Sequence, residues 1–476
     1  MELRHLKVQP SLNLFSIEQI EYVHKNTLKL LEKTGVRVDS EQARNTFLRA
    51  GCKSLGDARV AIPGEIIDAA IETAPASIDI FNRRGEKAFT LGENQPCRFG
   101  VGVTNLWWEE PETNAIVPFS RKHVVQACRL AERLTHYDVV STPGVIQDMP
   151  TEVSELYATL EMIANCEKPL VLLVAEADAF RKSLDLAQHL CGDLAESPFI
   201  IPYFNPVTPL VLNAETSEKV LLAVERGLPI IYSNYGMAGA TTPITAASAL
   251  VTLNAELLAG LVYTQLLKSG APVILGSLPA MFDMRNMTSI YTPQTMLLNL
   301  ACAEMMAYYK IPHAGTSGSG PGWGADLSAA GALWMNHLTS CMGKVGLAPF
   351  VGGNFDSLVF SPAKVVYADE IIRQTCLFQQ GISLNDETIA LEQIEDIGPG
   401  GNFLASDLTL RLFHEMNAQN NAIWPGYSLE NWQAKDAPKA DAVLKQRVLE
   451  ILANLKTPVD YGVLIGKGYE FFKLLC

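Results

Sequence analysis

The stretch Pro169-Leu-Val-Leu-Leu-Val-Ala175 decides the fold of this chain, because it is apolar at every position instead of alternating between apolar and polar residues. A strand of that kind is typical of a parallel sheet that helices cover on both faces. A turn and a helical pattern at 178–191 follow it. The same order of strand, turn and helix recurs along the chain, with strands predicted at 97–108, 137–146, 169–175, 199–204, 229–235, 272–277, 311–316 and 349–355.

A helix is predicted after each of these strands. Thr292-Pro293 and Ser361-Pro362 each place an N-cap residue before a proline at the first helical position. The predicted helices span 120–134, 151–165, 178–191, 214–226, 244–268, 293–309, 327–345 and 362–379. Eight successive βα units without a hairpin signal predict an α/β fold of the (β/α)8 TIM barrel type, with a doubly wound open sheet as the alternative.

Two further segments flank the barrel, which is predicted over 91–380. Residues 1–90 are predicted to form an N-terminal, mainly helical cap, in which Ser16-Ile-Glu-Gln19 has the form of a capping box. Residues 381–476 are predicted to form a C-terminal extension packed on the barrel, because no low-complexity linker separates the two. The helices predicted in these segments span 16–33, 41–50, 63–73, 407–417 and 438–455, with a short strand at 58–62.

The composition excludes several classes of protein. Of the 476 residues, 48% are hydrophobic and only 18% are charged, which is the opposite of the balance in disordered chains. The formal charge of −14 argues against a nucleic-acid partner, which would need a basic surface. No unbroken apolar run reaches the ~20 residues that span a bilayer, and the first residues lack the pattern of a signal peptide, so no membrane partner is expected.

The nine cysteines are widely spaced and include no CxxC pair. This spacing favours neither a disulfide framework nor a structural zinc site. Free thiols are typical of a reducing compartment, so we expect a cytoplasmic protein without a bound metal. An apolar barrel of 52.0 kDa with added segments is also expected to form a homodimer.

In a barrel of this type the functional site lies at the carboxyl ends of the strands. Aromatic side chains recur at these predicted strand ends, and clustered aromatic faces can hold a quaternary ammonium group through their quadrupoles. Core packing is the alternative explanation for each of them taken singly. The aromatic candidates for substrate binding are Phe99, Trp107, Tyr203, Phe204, Tyr232, Tyr235, Phe282 and Phe355.

Polar residues complete the list of candidates. Glu176 and Asn205 follow the third and fourth predicted strands, and His313 is the histidine found at a predicted strand end. Asp283 and Arg285 flank Met284 on one loop, where they form either an ion pair or a site in which Arg285 binds a substrate carboxylate. No Ser-His-Asp order or nucleophile elbow is present, so no catalytic residue is assigned.

The segment Gly315-Thr-Ser-Gly-Ser-Gly-Pro-Gly-Trp-Gly324 follows the seventh predicted strand. It contains neither a dinucleotide-binding fingerprint nor a Walker lysine. The loop could bind a phosphate, as loops after strands 7 and 8 of barrels often do. It could also let a large cofactor approach the backbone closely, because glycine lacks a side chain. An ordinary long loop is the third possibility.

Several motifs occur in a consistent order over about residues 16 to 457: Val23-His-Lys-Asn-Thr-Leu-Lys-Leu-Leu-Glu-Lys-Thr-Gly-Val-Arg-Val38, Arg59-Val-Ala-Ile-Pro63, Gly236-Met-Ala-Gly-Ala-Thr-Thr-Pro-Ile-Thr245, Gly276-Ser277 through Asp283-Met-Arg285, Gly315-Thr316 and Asp396-Ile-Gly-Pro-Gly-Gly401. In this order they resemble the trimethylamine–corrinoid methyltransferase family.

The resemblance implies a TIM barrel that moves a methyl group from an amine to the cobalt of a separate corrinoid protein. The cobalamin would be carried by that partner and not held tightly by this chain. Trimethylamine enzymes of the family carry pyrrolysine after strand 7, whereas the matching stretch here is Gly318–Gly324. The chain therefore resembles the non-pyrrolysine branch, whose known substrates are quaternary amines such as glycine betaine. The residues expected where the corrinoid approaches are Gly315, Gly318, Gly320, Gly322 and Trp323.

The leading hypothesis is a corrinoid-dependent methyltransferase that demethylates glycine betaine or a related betaine by in-line displacement. A quaternary ammonium is already cationic and leaves as a neutral tertiary amine, so positioning and exclusion of water are the protein's main tasks. One alternative is a barrel lyase or aldolase with a phosphate at 315–324, although no Schiff-base lysine follows a predicted strand. The other is a non-catalytic protein that binds a betaine or a corrinoid.

Overall fold

A closed ring of eight parallel strands forms the centre of the computed structural model, which describes residues 6–418 and 423–475. Each strand pairs in parallel with the next, and the last pairs with the first. The ring confirms the predicted barrel and excludes an open sheet. The strands are β1 Arg98–Val101, β2 Val139–Ser141, β3 Leu170–Leu172, β4 Ile200–Phe204, β5 Ile230–Ala238, β6 Val273–Asp283, β7 His313–Ala314 and β8 Leu347–Val351.

A helix follows each strand, as the sequence predicts. The Thr292 and Ser361 side chains accept hydrogen bonds from the backbone N–H groups three residues further on, which confirms both predicted N-caps. The helices are α1 Arg121–Arg133, α2 Thr151–Asn165, α3 Ala177–Cys191, α4 Ala214–Glu225, α5 Ala246–Leu267, α6 Pro293–Tyr308, α7 Leu327–Met342 and α8 Pro362–Gln380.

The amino-terminal segment contains the three predicted helices, and Ser16 and Gln19 form the predicted capping box. The chain start, for which no signal peptide is expected, lies outside the described residues. The elements before the barrel are Leu6–Val8, Ile17–Lys33, Val36–Val38, Glu41–Arg49, Lys53–Gly56, Arg59–Ala61, Gly64–Thr73, Ser77–Phe81 and Lys87–Gly92. The last two strands pair as an antiparallel hairpin that was not predicted.

This hairpin closes the amino-terminal end of the barrel. Ile78, Ile80, Phe89 and Leu91 are buried and belong to the same apolar cluster as the residues that face the lumen of the barrel. The other end, where the carboxyl ends of the strands lie, therefore provides the opening that positions a functional site.

Several short hairpins lie in the loops at the open end, although no hairpin is predicted from the sequence. That expectation holds for the barrel sheet but is wrong for its loops. Trp107–Glu109 pairs with Ile116–Pro118, Thr288–Ile290 pairs with the end of β6, and Gly353–Asn354 pairs with Val359–Phe360. A further short strand, Val211–Leu212, pairs with Val36–Val38 and so joins the loop after β4 to the amino-terminal segment.

The carboxyl-terminal segment contains a last helix that was not predicted from the sequence. Gly468 of this helix lies against Leu160 of α2, and Phe472 packs edge-on against Tyr157 with ring centroids 4.8 Å apart. The division of the chain into three domains stays a prediction, and Cys476 lies outside the described residues. The elements after the barrel are Ile382–Leu384, Asp386–Ile389, Leu391–Ile397, Asp407–Ala418, Leu429–Gln433, Ala440–Ala453 and Tyr461–Leu475.

The composition of helix α5 raises the question of whether this helix could span a membrane. In the part of the chain that the structure describes, it alone is long and apolar enough to cross a bilayer by length and composition. Of its most apolar 18-residue window, 78% is buried inside the fold. Packing between β5, β6 and the amino-terminal helices therefore accounts for its composition.

Candidate active site

The lumen of the barrel changes from apolar to polar toward its open end. Val139, Val171, Ile201 and Ile231 form an apolar layer above the closing hairpin. Tyr203 lies on the same face of β4 as Ile201, because side chains two residues apart in a strand point the same way. Polar groups begin at this level of the lumen.

Tyr203 forms the floor of the open part of the lumen. Its ring packs edge-on against Phe350 with centroids 4.9 Å apart. The Asn205 Nδ2 atom lies 3.4 Å from the Tyr203 hydroxyl and donates to the Ser233 carbonyl oxygen at 2.9 Å. Burial raises the pKa of Tyr203 to about 12, so its hydroxyl stays protonated at neutral pH.

Four residues meet above this floor, and we call Tyr235, Ser289, Tyr291 and Asp356 the mouth cluster. Tyr235 continues the inward face of β5 after Ile231, and its hydroxyl is hydrogen-bonded to the Ser289 hydroxyl. The Tyr291 hydroxyl donates to Asp356 Oδ1 at 2.9 Å. The loops after β5, β6 and β8 are thus joined around one carboxylate and two aromatic rings.

The mouth cluster carries a negative charge in a partly desolvated place. Burial raises the pKa of Asp356, while hydrogen bonds from Tyr291 and Ser289 oppose that shift by stabilising the carboxylate. Burial and the neighbouring Tyr235 and Asp356 raise the pKa of Tyr291 well above its ordinary value, so Tyr291 remains a donor. A carboxylate beside two aromatic faces can hold a cation that donates no hydrogen bonds.

The backbone is strained where it presents Asp356. The φ angles of Phe355, Asp356 and Ser357 are 50°, 55° and 65°, in the left-handed region. For residues with a Cβ atom this costs ~1–2 kcal/mol each. The N–H groups of Phe355 and Asp356 donate to the Gly322 and Gly320 carbonyls, both at 3.1 Å, and so hold the turn in place. Strain of this kind is concentrated at functional sites.

The glycine-rich loop packs against the fold itself. A Cβ atom on Gly320 would lie 2.2 Å from the Tyr291 ring, and one on Gly318 would lie 2.7 Å from the ring of His337. A Cβ atom on Gly322 would lie 2.5 Å from the Ala329 side chain. These contacts explain the glycines without a bound phosphate.

Gly315 and Trp323 of the same loop differ in how deeply they are buried. Gly315 is packed against Asn299, whose Oδ1 would lie 2.7 Å from an added Cβ atom. Trp323, in contrast, is 75% exposed. Of the five residues expected at the corrinoid, Trp323 is the one whose side chain reaches solvent.

Lys364 supports the loops after β7 and β8 from behind. Its Nζ donates to the carbonyl oxygens of Pro321 and Gly353, and the side chain is fully buried in the first turn of α8. Burial lowers the pKa of Lys364 to about 7, although Asp326 and Glu109 oppose this shift. The lysine therefore positions loop backbone and does not face the lumen with a free amine.

Three of the predicted aromatic residues lie on the outer face of the barrel. Phe99 packs edge-on against His337 at 5.3 Å, and Phe204 packs edge-on against Phe180 at 5.4 Å. Tyr232 lies against Gly260 of α5 so closely that a Cβ atom there would come within 2.1 Å of its ring. All three are buried between the strands and the helices.

His313 lies at the opposite end of the barrel from the mouth cluster. It begins β7, is 2% exposed, and neither ring nitrogen has a hydrogen-bond partner within residues 6–418 and 423–475. Burial lowers its pKa to about 3, which keeps the ring neutral. His313 lines a cavity of about 840 Å³ with Lys310, Pro312 and Gly346, which precede β7 and β8.

The hairpin of the first loop exposes Trp107 and buries its neighbour. Trp107 is 38% exposed, whereas Trp108 is stacked between His123 and Phe360 with centroid distances of 4.7 and 5.1 Å. Glu176 is exposed at the N-cap of α3.

Asp283 and Arg285 sit in the turn between β6 and the strand at 288–290. Asp283 accepts hydrogen bonds from the Arg285 backbone N–H at 2.9 Å and from Asn286 Nδ2 at 2.7 Å. These bonds lower the pKa of the Asp283 carboxyl. No ion pair joins the two side chains in the described structure, and Arg285 is exposed, while Phe282 is half-buried in the same hairpin.

The structure thus brings Tyr203, Asn205, Tyr235 and Phe355 to the open end of the lumen, and it places Trp107, Glu176, Phe282, Asp283 and Arg285 on loops at the same end. It turns Phe99, Phe204 and Tyr232 outward and places His313 at the opposite end. Ser289 and Tyr291 are not among the candidates predicted from the sequence, and Asp356 follows the eighth predicted strand but was not selected as a site residue. Tyr291 and Asp356 each had a usable signal, because Tyr291 precedes α6 and Asp356 follows a strand, which places both at the carboxyl ends of the strands. Within the described residues, no group of three or more histidine, cysteine or acidic side chains could hold a metal ion.

Comparison with known proteins agrees with this architecture. A protein named trimethylamine methyltransferase MttB from Desulfitobacterium hafniense (strain DSM 10664 / DCB-2) is 28% identical over 92% of this chain and 89% of its own length. A protein named glycine betaine methyltransferase from Desulfitobacterium hafniense (strain Y51) is 26% identical over 94% of both chains.

The solved structure of the Methanosarcina barkeri monomethylamine methyltransferase (MtmB) has the same fold, with a TM-score of 0.51 at 11% identity, covering 94% of this chain and 89% of that one. The model of the trimethylamine methyltransferase (MTTB) family matches residues 2–461. The chain therefore belongs to the trimethylamine methyltransferase family, whose members are methyl-transferring enzymes.

Proposed function

We propose that this protein transfers a methyl group from a quaternary amine to the Co(I) of a corrinoid carried by a separate protein. The observation that carries the proposal is the mouth cluster, in which the Asp356 carboxylate and the rings of Tyr235 and Tyr291 meet at the open end of the lumen. A tetraalkylated nitrogen donates no hydrogen bonds, so aromatic faces and a nearby carboxylate are the groups that recognise it.

The reaction requires little from the protein beyond positioning. The reduced cobalt supplies the electron pair for the new bond to the methyl carbon, and the C–N bond breaks with its pair remaining on nitrogen. A neutral tertiary amine leaves, and no proton moves. The mouth cluster orients the ammonium, and the corrinoid protein, when it covers the mouth, excludes water from the reacting carbon.

In this proposal the corrinoid protein is a co-substrate, as the resemblance to the family implies. We propose that it docks on apolar residues exposed around the open end of the lumen, which we call the apolar rim. Exposed apolar side chains rimmed by polar residues are typical of protein-binding surfaces. Those on the loops after β6, β7 and β8 are Met284, Met287, Trp323, Leu327, Phe355 and Leu358.

The proposal also includes the identity of the amine that donates the methyl group. One relative is named for glycine betaine and another for trimethylamine, at 26% and 28% identity. A quaternary nitrogen is favoured here because it is cationic without a proton or an activating group. For a betaine, Arg285 is the predicted anchor of the carboxylate, from its exposed place on the turn after β6.

The test follows the cobalamin spectrum of a corrinoid protein reduced to Co(I), mixed with this protein and glycine betaine, choline or trimethylamine. We expect conversion to the methylated Co(III) form with a quaternary amine and none when the amine is omitted. Absence of methylated cobalt with every amine contradicts the proposal. Calorimetric binding of an amine without turnover would instead favour the non-catalytic alternative.

A further inference from the structure

The polar groups of the lumen include an acidic side chain that has no basic partner. Asp356 places a carboxylate at the mouth, and no salt bridge of the described residues involves it. The pKa values of Tyr203, Tyr235, Tyr291 and Asp356 are shifted by burial, by hydroxyl and amide groups and by one another, but by no lysine or arginine. The lumen is thus anionic and lacks a basic counterpart.

The two buried lysines at this end of the barrel, Lys219 and Lys364, donate to backbone carbonyl oxygens. Lys364 donates to the Pro321 and Gly353 carbonyl oxygens behind the loops. The Lys219 Nζ atom donates to the carbonyl oxygens of Val174 and Ala175, at 2.9 and 2.6 Å. Arg285 is exposed on the turn after β6, and it is not among the groups that shift the pKa values of Tyr203, Tyr235, Tyr291 or Asp356.

The direction of attack determines where the rest of the substrate lies. The closing hairpin fills the amino-terminal end of the barrel, so the cobalt approaches from the mouth. The methyl group that leaves must then point outward. In-line displacement places the other substituents of the nitrogen on the opposite side, toward Tyr203 and the interior of the lumen.

The groups that would meet this inward tail are neutral. The Ser233 side chain is 1% exposed, lies on the inward face of β5 between Ile231 and Tyr235, and is close enough to the Tyr203 hydroxyl to oppose the rise of the Tyr203 pKa. Its neighbours Tyr203 and Asn205 offer a hydroxyl and an amide. A hydroxyl in this place can donate to or accept from a polar but uncharged group of a ligand.

A substrate carboxylate in this place would be unfavourable. It would lose its hydration without gaining a basic side chain as partner, and it would add a repulsion from Asp356 that an uncharged tail does not have. A hydroxyl tail, in contrast, can both donate to and accept from Ser233 and Asn205 without any net charge.

Resting on the function proposed above, we infer that the substrate is a net-cationic quaternary amine with an uncharged hydroxyalkyl tail, and that Asp356 selects it over betaines. Choline and glycine betaine are a matched pair of probes, because they differ only in a hydroxymethyl group in place of a carboxylate. Arg285 then has no role in substrate binding.

The experiment compares kcat/KM for choline and glycine betaine in the wild type and in Asp356→Asn. Asparagine tolerates the left-handed backbone as well as aspartate does and still accepts from Tyr291, so the variant keeps the turn. We expect the wild type to prefer choline by about tenfold or more, because bringing two like charges together in a binding site lowers affinity by at least that factor. Asp356→Asn should lower the value for choline and not that for glycine betaine.

Two more variants test whether the choline preference arises from the groups in the lumen and not from a general change in structure or surface charge. Asp178→Asn removes an exposed carboxylate on α3 at the same end of the barrel and should leave the choline preference unchanged. Ser233→Ala should raise KM for choline more than for tetramethylammonium, which has no hydroxyl.

The outcomes distinguish this inference from the function it rests on. A wild-type preference for glycine betaine, or an equal loss for both amines in Asp356→Asn, overturns the inference and leaves the methyltransferase proposal standing. No methylated cobalt with any quaternary amine overturns the function itself. Calorimetric binding of choline to this protein alone, weakened in Asp356→Asn, would support the selection by a route independent of the corrinoid protein.

Discussion

Gly320 fixes the position of Tyr291 and so of the whole mouth cluster. Its φ angle is 98°, and a Cβ atom would come within 2.2 Å of the Tyr291 ring. Gly320→Ala is therefore expected to displace Tyr291, to lower kcat/KM at least tenfold and to destabilise the fold by about 1–3 kcal/mol. Thermal denaturation and the cobalamin assay measure the two effects.

The matched control is Gly331→Ala. Gly331 lies in α7 with no atom within 4 Å of an added Cβ. Because alanine is the better helix former, this variant should gain up to ~1 kcal/mol of stability and keep full activity. Equal behaviour of the two alanine variants would contradict the role given to Gly320.

Single residues of the site could be predicted only where a regular pattern fixed their direction. Tyr203 and Tyr235 follow the two-residue alternation of β4 and β5, which points them inward. The same alternation turns Phe204 and Tyr232 outward, but the sequence does not show which of two neighbours faces the lumen when both are apolar. The place of Asp356 after the eighth strand could be predicted, but its contact with Tyr291 could not, because a left-handed turn has no periodicity to extrapolate.

At the scale of elements, Glu256 joins α5 to the loop after β4. Its carboxylate accepts from the Leu210 N–H at 2.7 Å and from the Thr208 hydroxyl at 2.9 Å. The residue is 2% exposed, and burial raises its pKa to about 7, although these hydrogen bonds oppose the shift. A buried acid of this kind makes the fold sensitive to pH.

The folded protein binds the Glu256 proton more tightly than the unfolded chain, whose reference pKa is 4.5. The stabilisation is therefore complete below pH 4.5 and is lost as the pH rises through about 7, by ~3 kcal/mol at one pKa unit per ~1.4 kcal/mol. Glu256→Gln should remove this dependence. Urea denaturation from pH 5 to 8 measures it, and a wild-type minus variant difference that stays constant with pH would contradict it.

The barrel elements were largely predictable, because each repeats the same succession of buried strand and amphipathic helix. The hairpin formed by Ser77–Phe81 and Lys87–Gly92 was missed although Ile78 and Ile80 alternate with polar residues. Its burial depends on a barrel far along the sequence. The helix Tyr461–Leu475 was missed for a similar reason, since its packing partners lie on α2 and α3.

At the scale of the whole molecule, the apolar rim predicts how the corrinoid protein docks. Trp323 is the most exposed aromatic side chain of that rim, and aromatic side chains often contribute ~2 kcal/mol or more to an interface. Trp323→Ala should therefore raise KM for the corrinoid protein about tenfold or more and leave KM for the amine unchanged. Steady-state kinetics with each substrate varied in turn measure both constants.

Tyr22→Ala is the control, because Tyr22 is 71% exposed on the amino-terminal helix Ile17–Lys33, away from the rim. It should change neither constant. A change in KM for the amine alone in Trp323→Ala would place this residue in the amine site and contradict docking. The expected homodimer and cytoplasmic location stay predictions at this scale, and sedimentation of the purified protein measures the first of them.

The closing hairpin at 77–92 also imposes an order on the reaction. With one end of the lumen filled, the amine and the corrinoid protein share a single entrance. Under the proposed function the amine enters first, the ternary complex forms when the corrinoid protein covers it, and the tertiary amine leaves last. The demethylated product then competes with the substrate amine for the free enzyme, and no excess of corrinoid protein relieves that competition.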